Sequence, residues 1–447
     1  MRRKASGPSS FEWCYMLLVQ VAFGSMSFIA GTQETGRDSL NLIHILQNKG
    51  DGGNQLTQTL SICLYAGCAI LLARHARPKT FLLLGYPLCL LLLWTFMTIA
   101  WSVDPSVSFR RAVALAGTTG LSLYLGIRFD PQQLLRLLAY STSILLVASL
   151  IIGIVAPVRG FDFSDNFRGV FEQKNAMGRY AIITILVVIG RLLQRRSIGT
   201  LATIGAGALG VMAIICLGLA HSASIVPVLL SVLIALVIAR LIRRSDATSR
   251  SLIIPIAVCG AVGAGSVLYD NWASLVALLG RDPDMSGRTE VWEFVAKMIF
   301  QNPLIGYGYQ AFWEGSRSPG AAFWQMTGNG VPNAHSGWLQ LTLDTGGVGV
   351  LLFMVAIVIM AVNLFRLLRQ MRSSPWFFEW AVSFLTFYLV TSFFEAILWV
   401  GDYMIQMLFL YIVIRSNIMM RQAAVSSHTQ SFGILRTGIH APQRTVP

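Results

Sequence analysis

Stretches of about 20 predominantly apolar residues recur along the chain, each long enough as a helix to cross a hydrocarbon core of ~30 Å. The first runs from Glu12 to Ala30, the second ends at the basic Ala73–Arg77, and the third covers Phe81–Trp101. Others end near Ile127 or cover 134–155, 175–190, 199–220, 223–242 and 251–269. After a long interruption the pattern resumes at 336–364, 377–400 and 402–419. It predicts an all-α fold, a polytopic transmembrane bundle of about twelve spans. Residues 1–269 then carry spans one to nine, 270–335 a large loop with short helices, and 336–421 spans ten to twelve; 422–447 reads as a disordered tail.

The interruption holds most of the charge found outside short basic connections. Arg288 opens an amphipathic segment with Val291, Val295 and Ile299 on one stripe and Trp292 beside it. His335 follows Pro332 and Asn333, a helix-start pattern, and opens the next apolar run.

Composition narrows the class further. The chain has 447 residues, of which 55% are hydrophobic and 12% charged, about half the charge of a soluble domain. Its net charge of +14 goes with membrane topology and not with nucleic acid. With the N-terminus inside, the inner connections contain ARHARPK, GIRFDPQQLLR, RLLQRRS, ARLIRRSDATSR, FRLLRQMRS and the C-terminal tail, and every one is basic. The positive-inside rule therefore places both termini in the cytoplasm and the large loop outside, which in a bacterial-type inner membrane means the periplasm. The first run reads as an uncleaved anchor, because Phe28-Ile29-Ala30 lacks a small-x-small cleavage pattern. The six cysteines lie in apolar runs without zinc-ligand spacing, so neither a structural disulfide nor a metal site is expected from them.

Several cations break the topology rule. Arg110 and Arg111 fall at the outer mouth of the fourth span; Arg159, Arg168 and Lys174 lie in or beside the third outer loop; Arg281, Arg288 and Arg317 belong to the large loop. Singly, each reads equally well as a snorkelling cation. As a group they suggest a collar for a phosphate-bearing ligand, since the guanidinium fork takes phosphate oxygens bidentately. His335 reads as an interfacial structural residue or as a base, and a helix-start position favours its neutral form. Asp282 and Asp284 lack a third ligand at metal spacing and read as turn residues, so no metal or other cofactor is expected. Glu395 and Asp402 are charges near the outer end of the last helix pair, and read as functional or as helix-pairing groups.

Three sequence stretches carry a resemblance: WSVDPSVSFRRA after the third span, GVFEQKNAMG at the sixth, and GRTEVW…NPLIGYGYQAF…NAHSGWLQLTLDTGGVG in the large loop. With the span pattern, they make the chain resemble the O-antigen ligase and polysaccharide polymerase family of bacterial inner membranes. His335 and Gly346, ten residues apart between them, match a spacing of the ligases. Trp292 stands where the ligases carry Leu, so the chain looks more like the exopolysaccharide polymerases of the family.

The resemblance implies a metal-independent glycosyltransferase at the periplasmic face, with an undecaprenyl-diphosphate-linked oligosaccharide as donor. The acceptor would be another lipid-linked repeat (polymerase) or a lipid A core (ligase). Arg288, with Arg110 or Arg111 and with Arg168 and Lys174, would hold the diphosphate, and His335 would be the general base. Tyr307, Trp313 and Trp338 would stack on sugar rings or anchor the interface. Further partners would be the lipid bilayer and other polysaccharide export proteins. A lipid-linked oligosaccharide flippase remains an alternative, although two similar halves with matched broken helices would then be expected.

Overall fold

The computed structural model describes residues 7–30, 55–162, 165–194, 199–222, 224–246, 249–250, 253, 288–315, 318–328, 330–370, 375–401 and 404–437. The ninth expected span (251–269) apart from residue 253, and Arg281, Asp282, Asp284, Arg317 and Asp402, lie outside these residues.

The described residues form an all-α assembly; its only pairing of extended backbone is an isolated bridge between Phe161 and Phe167. In chain order the helices are α1 (Ser10–Ala30), α2 (Gln55–His75), α3 (Tyr86–Met97), α4 (Pro105–Arg128), α5 (Pro131–Val155), α6 (Lys174–Leu193) and α7 (Thr200–Leu219). They continue as α8 (Ile225–Arg244), α9 (Arg288–Gln301), α10 (Pro319–Thr327), α11 (Gly337–Gln370), α12 (Pro375–Phe394) and α13 (Met404–Thr437). Eight of these are long and apolar enough to cross a membrane: α2, α5, α6, α7, α8, α11, α12 and α13. The chain is a multi-helix membrane protein. The tail expected to be disordered from residue 422 instead continues α13 as helix to Thr437, through Arg421, Gln422, Ala423 and Ala424, all good helix formers.

Within lipid, helices associate through close packing and internal polar contacts, since apolar burial against apolar chains gains little. α8 lies along α12, α6 along α7, α4 along α13, and α11 along α3. At Gly126 in α4 an added Cβ would stand 2.6 Å from Ile414 of α13, so only glycine admits this approach. Glu12 of α1 takes Arg128 Nε at 2.7 Å and Nη2 at 2.9 Å, and also accepts from Tyr124.

The large loop builds a second, smaller core. Val291 and Val295 of α9 pack with Tyr307, Phe312, Trp313, Phe323, Trp324 and Leu343, the last from α11. The Asn302–Tyr309 stretch lies across the kink of α11. Gly347 N donates to Pro303 O at 2.8 Å, Val348 N to Leu304 O at 3.2 Å, and Tyr307 N to Leu343 O at 2.7 Å. Gly346 makes the kink, with φ 66° and ψ −173°, and a Cβ there would lie 2.1 Å from Leu304 O. Positive φ and absence of space both demand glycine.

The WSVDPS stretch supports the same loop from the other side. Trp101 Nε1 donates to Ile305 O (3.1 Å), Val103 N to Tyr307 O (3.0 Å), and Ser108 Oγ to Tyr309 O (2.9 Å). Trp94 Nε1 reaches Thr345 O at 2.9 Å. Asp104 caps α4 by accepting from Ser106 N at 3.0 Å and Val107 N at 3.1 Å. Two of the three motif stretches thus form one structural unit that seats the loop on the bundle.

Candidate functional site

The start of α6, the start of α11, the start of α9 and the segment after α12 converge on one carboxylate, Glu395. Arg179, in the second turn of α6, places Nη1 3.0 Å from Glu395 Oε2. Arg288, the first residue of α9, places Nη2 3.8 Å from Oε1 of the same group. Asn175 Nδ2 donates to Glu395 Oε1 at 2.8 Å, and Ser222 Oγ in turn donates to Asn175 Oδ1 at 2.7 Å. The α11 start lies close against this segment: a Cβ on Gly337 would be 3.2 Å from Glu395 O and 3.1 Å from Leu398 N.

His335 sits just before that start. Its backbone adopts φ 47°, in the left-handed region where non-glycine residues are uncommon, and its N–H donates to Asn333 Oδ1 at 2.9 Å. The turn is held from three sides. Trp292 Nε1 of α9 donates to Ala334 O at 3.0 Å; Gln340 Oε1 accepts from Ala334 N at 3.0 Å and from Trp313 Nε1 at 3.1 Å. Gln340 Nε2 donates to Asp344 Oδ1 at 2.8 Å, which fixes the amide's orientation. The Ala334–Ser336 backbone therefore has few ways to relax, and its strained conformation is over-determined by neighbours.

The electrostatics follow from burial. Burial holds the His335 imidazole below its ordinary pKa, the Arg288 cation lowers it further, and the Glu395 carboxylate opposes both. The neutral ring is the dominant form at neutral pH. Burial likewise lowers the Arg288 guanidinium, against the pull of Glu395. It stays charged throughout the physiological range.

The other expected site residues divide. Arg110 and Arg111 are exposed on α4, and Arg111 Nη2 faces Glu314 Oε1 at 3.4 Å. Arg168 is buried, its Nε donating to Arg159 O at 3.1 Å, so it helps hold the loop before α6. Lys174 is half-buried at the start of α6, one residue before Asn175. Tyr307 and Trp313 are enclosed by the loop's own packing. Both rings are buried in the loop core, with Tyr307 Oη donating to Met298 O at 2.8 Å, because the Asn302–Tyr309 stretch folds down onto α11. Neither ring has a face open to a sugar. Trp338 packs edge-on to Phe353 and tilted to Phe393, at centroid distances of 6.0 and 5.9 Å.

Sequence reasoning missed Arg179 and Asn175. The signal was present: Arg179 is a charge inside an apolar run, which is costly unless partnered. Among the described residues no group of three His, Cys, Asp or Glu side chains forms a metal-ligand set.

The half-buried His335 lies in the fields of Arg288 and Glu395, and Glu395 also pairs with Arg179. Residues 207–354 match the family model described as O-antigen ligase. The likeness to the O-antigen ligase and polysaccharide polymerase family is borne out. An exopolysaccharide production protein, ExoQ of Rhizobium meliloti, is 29% identical over 293 residues, 63% of this chain and 67% of that relative. These likenesses support a bacterial membrane enzyme of O-antigen ligase-type glycan processing. Arg288 and His335 fall inside the matched segment, whereas Asn175, Arg179 and Glu395 lie outside it.

Proposed function

We propose that this protein is an inner-membrane glycosyltransferase that polymerises undecaprenyl-diphosphate-linked glycan at the periplasmic face in exopolysaccharide synthesis. The observation that carries the reading is the placement of a half-buried imidazole, His335, within the fields of Arg288 and Glu395. A glycosyl diphosphate is already an activated donor, so the protein must stabilise the departing diphosphate and take the acceptor's proton.

In this reading Arg288 binds diphosphate oxygens. Its planar fork matches them, and burial strengthens the attraction relative to water. His335, neutral at neutral pH, accepts the acceptor hydroxyl's proton as that oxygen attacks the anomeric carbon. The bond from the anomeric carbon to the diphosphate oxygen breaks, and the lipid diphosphate leaves with the electron pair. The exposed Arg110 and Arg111, with Lys174, draw the anionic substrate towards the site at longer range. Catalysis requires no metal, because arginines take the role of neutralising the leaving group.

Polymerase is favoured over ligase by the likeness to an exopolysaccharide production protein and by Trp292 in place of the ligases' Leu. The test is a deletion strain complemented with the wild-type chain. Single-repeat glycan in the deletion, restored to high polymer on complementation, supports the polymerase. Full-length lipid-linked polymer lacking its final acceptor supports a ligase. For purified protein, turnover undiminished by a chelator is the expected result.

A further inference from the structure

Gly190 lets α5 and α6 meet closely at the end of the bundle where α6 finishes: a Cβ there would stand 2.6 Å from Leu135 Cδ1. The next residue on each helix is an arginine, Arg191 on α6 and Arg136 on α5. Arg191 is half-buried, Arg136 is exposed, and Arg136 lies in the electrostatic field of Arg191. Among the described residues no carboxylate forms an ion pair with either arginine. Neighbouring arginines at this end do have acids. Arg128, which closes α4 just before α5 begins, holds Glu12 at 2.7 Å. Glu379 adjoins Trp380, which also faces Gly190, and it is shared by Arg240 and Arg243 of α8. A single cation at the membrane edge snorkels to the headgroup layer and needs no partner. Two cations brought together by the packing of their helices repel each other, and an anion between them removes that cost.

The surface next to the pair is apolar. On α5, Tyr140 and Ile144 follow Arg136 at intervals of one helical turn, with Val147 beyond them, and all three are exposed. Leu192, beside Arg191, is exposed as well. A cationic mouth at the helix ends thus opens onto an apolar track along a membrane-crossing helix. Phosphate on top and hydrocarbon beneath is the layout of a phospholipid, and basic pockets between spans recognise such headgroups.

We propose that the α5–α6 end binds an anionic phospholipid, with its phosphate between Arg136 and Arg191 and an acyl chain along Tyr140, Ile144 and Val147. The lipid neutralises the pair and ties the two helix ends together. Its leaflet is the one opposite the candidate site, since Arg191 lies about 18 Å along α6 from Arg179. The positive-inside reading makes this the cytoplasmic leaflet. A lipid with net negative charge is preferred to a zwitterionic one, whose own ammonium competes for the phosphate.

The experiment measures lipid binding to delipidated full-length protein in detergent by native mass spectrometry. The probes are dioleoylphosphatidylglycerol, dioleoylphosphatidylcholine and inorganic phosphate. The chains compared are wild type, Arg136→Gln, the double variant Arg136→Gln/Arg191→Gln, and Arg366→Gln/Arg369→Gln. The last removes the same charge from exposed positions on α11 and so controls for a general basic surface.

Wild type should bind one phosphatidylglycerol in preference to phosphatidylcholine. Each basic residue near a membrane surface contributes roughly a fivefold factor, so Arg136→Gln should raise Kd about fivefold and the double variant about 25-fold. The α11 control should bind as wild type does. Arg136 is exposed and outside the helix packing, so Arg136→Gln decides the matter even if the double variant fails to fold. Wild-type affinity in Arg136→Gln, or an equal loss in the α11 control, would reduce the pair to part of a general basic face and overturn the proposal. Equal binding of the two phospholipids would overturn the anionic headgroup. Inorganic phosphate displacing phosphatidylglycerol at equal concentration would overturn the acyl track and leave a free-anion site.

Discussion

The indole N–H of Trp292 donates to the carbonyl of Ala334 across 3.0 Å, tying the helix that Arg288 opens to the turn that carries His335. Arg288 and Trp292 are one helical turn apart on α9. The hydrogen bond therefore sets the separation of cation and imidazole, and couples the position of both to the packing of the loop core.

Replacing Trp292 with Phe keeps a ring in that core and removes only the donor. One neutral hydrogen bond is worth about 1 kcal/mol, so the expected result is a roughly three- to tenfold fall in kcat with protein level unchanged. KM for the donor should move less than kcat, because the turn and not the phosphate contact is loosened. A selective rise in KM with normal kcat would contradict this positioning role.

The acid limb of the kcat/KM profile should report His335. Its neutral form is the active one and its pKa lies below the ordinary imidazole value of about 6.5, so activity should hold through neutrality and fall only at lower pH. Glu395 raises that pKa, and Glu395→Gln should move the limb to still lower pH. Arg288 lowers it, and the residual activity of Arg288→Gln should show a limb moved upward. A limb above pH 7 that neither substitution shifts would assign the titration to another group.

Gly346→Ala should be among the most damaging single substitutions. The new Cβ meets Leu304 O at 2.1 Å and the residue must keep φ 66°, so a loss of roughly 2–4 kcal/mol in stability is expected. Gly205→Ala, in α7 with no heavy atom within 4 Å of the added Cβ, should be neutral or slightly stabilising. Thermal unfolding of the detergent-solubilised proteins distinguishes the two.

What was legible in the sequence follows from what one-dimensional pattern contains. The apolar runs announced the helices because only a helix satisfies its backbone within lipid. Arg288 and His335 stood out because each begins an amphipathic or apolar segment after a charged interruption. Arg179 and Glu395 did not announce a site together, since their pairing depends on α6 lying against α12, which no local pattern encodes. The burial of Tyr307 was hidden for a similar reason. An aromatic residue in an outer loop resembles an interfacial anchor until the Asn302–Tyr309 stretch is seen folded over the kink at Gly346.

The proposed topology makes a direct demand. A reporter inserted near Gly320, at the start of α10, should read as periplasmic, and one fused after Arg421 as cytoplasmic. A cytoplasmic reading at Gly320 would place Arg288 and His335 in the wrong compartment for the proposed chemistry.

The central claim is that His335 takes the acceptor's proton, and the rate of glycan transfer by His335→Gln tests it most directly. Glutamine accepts a hydrogen bond at a similar position and cannot take up the proton. The predicted rate is lower by about 10²–10⁴, with membrane insertion and thermal stability retained. His221→Ala, which changes an exposed histidine after α7 that also has a positive φ of 44°, should transfer at close to the wild-type rate. Transfer by His335→Gln at the wild-type rate would contradict the account and move the base elsewhere.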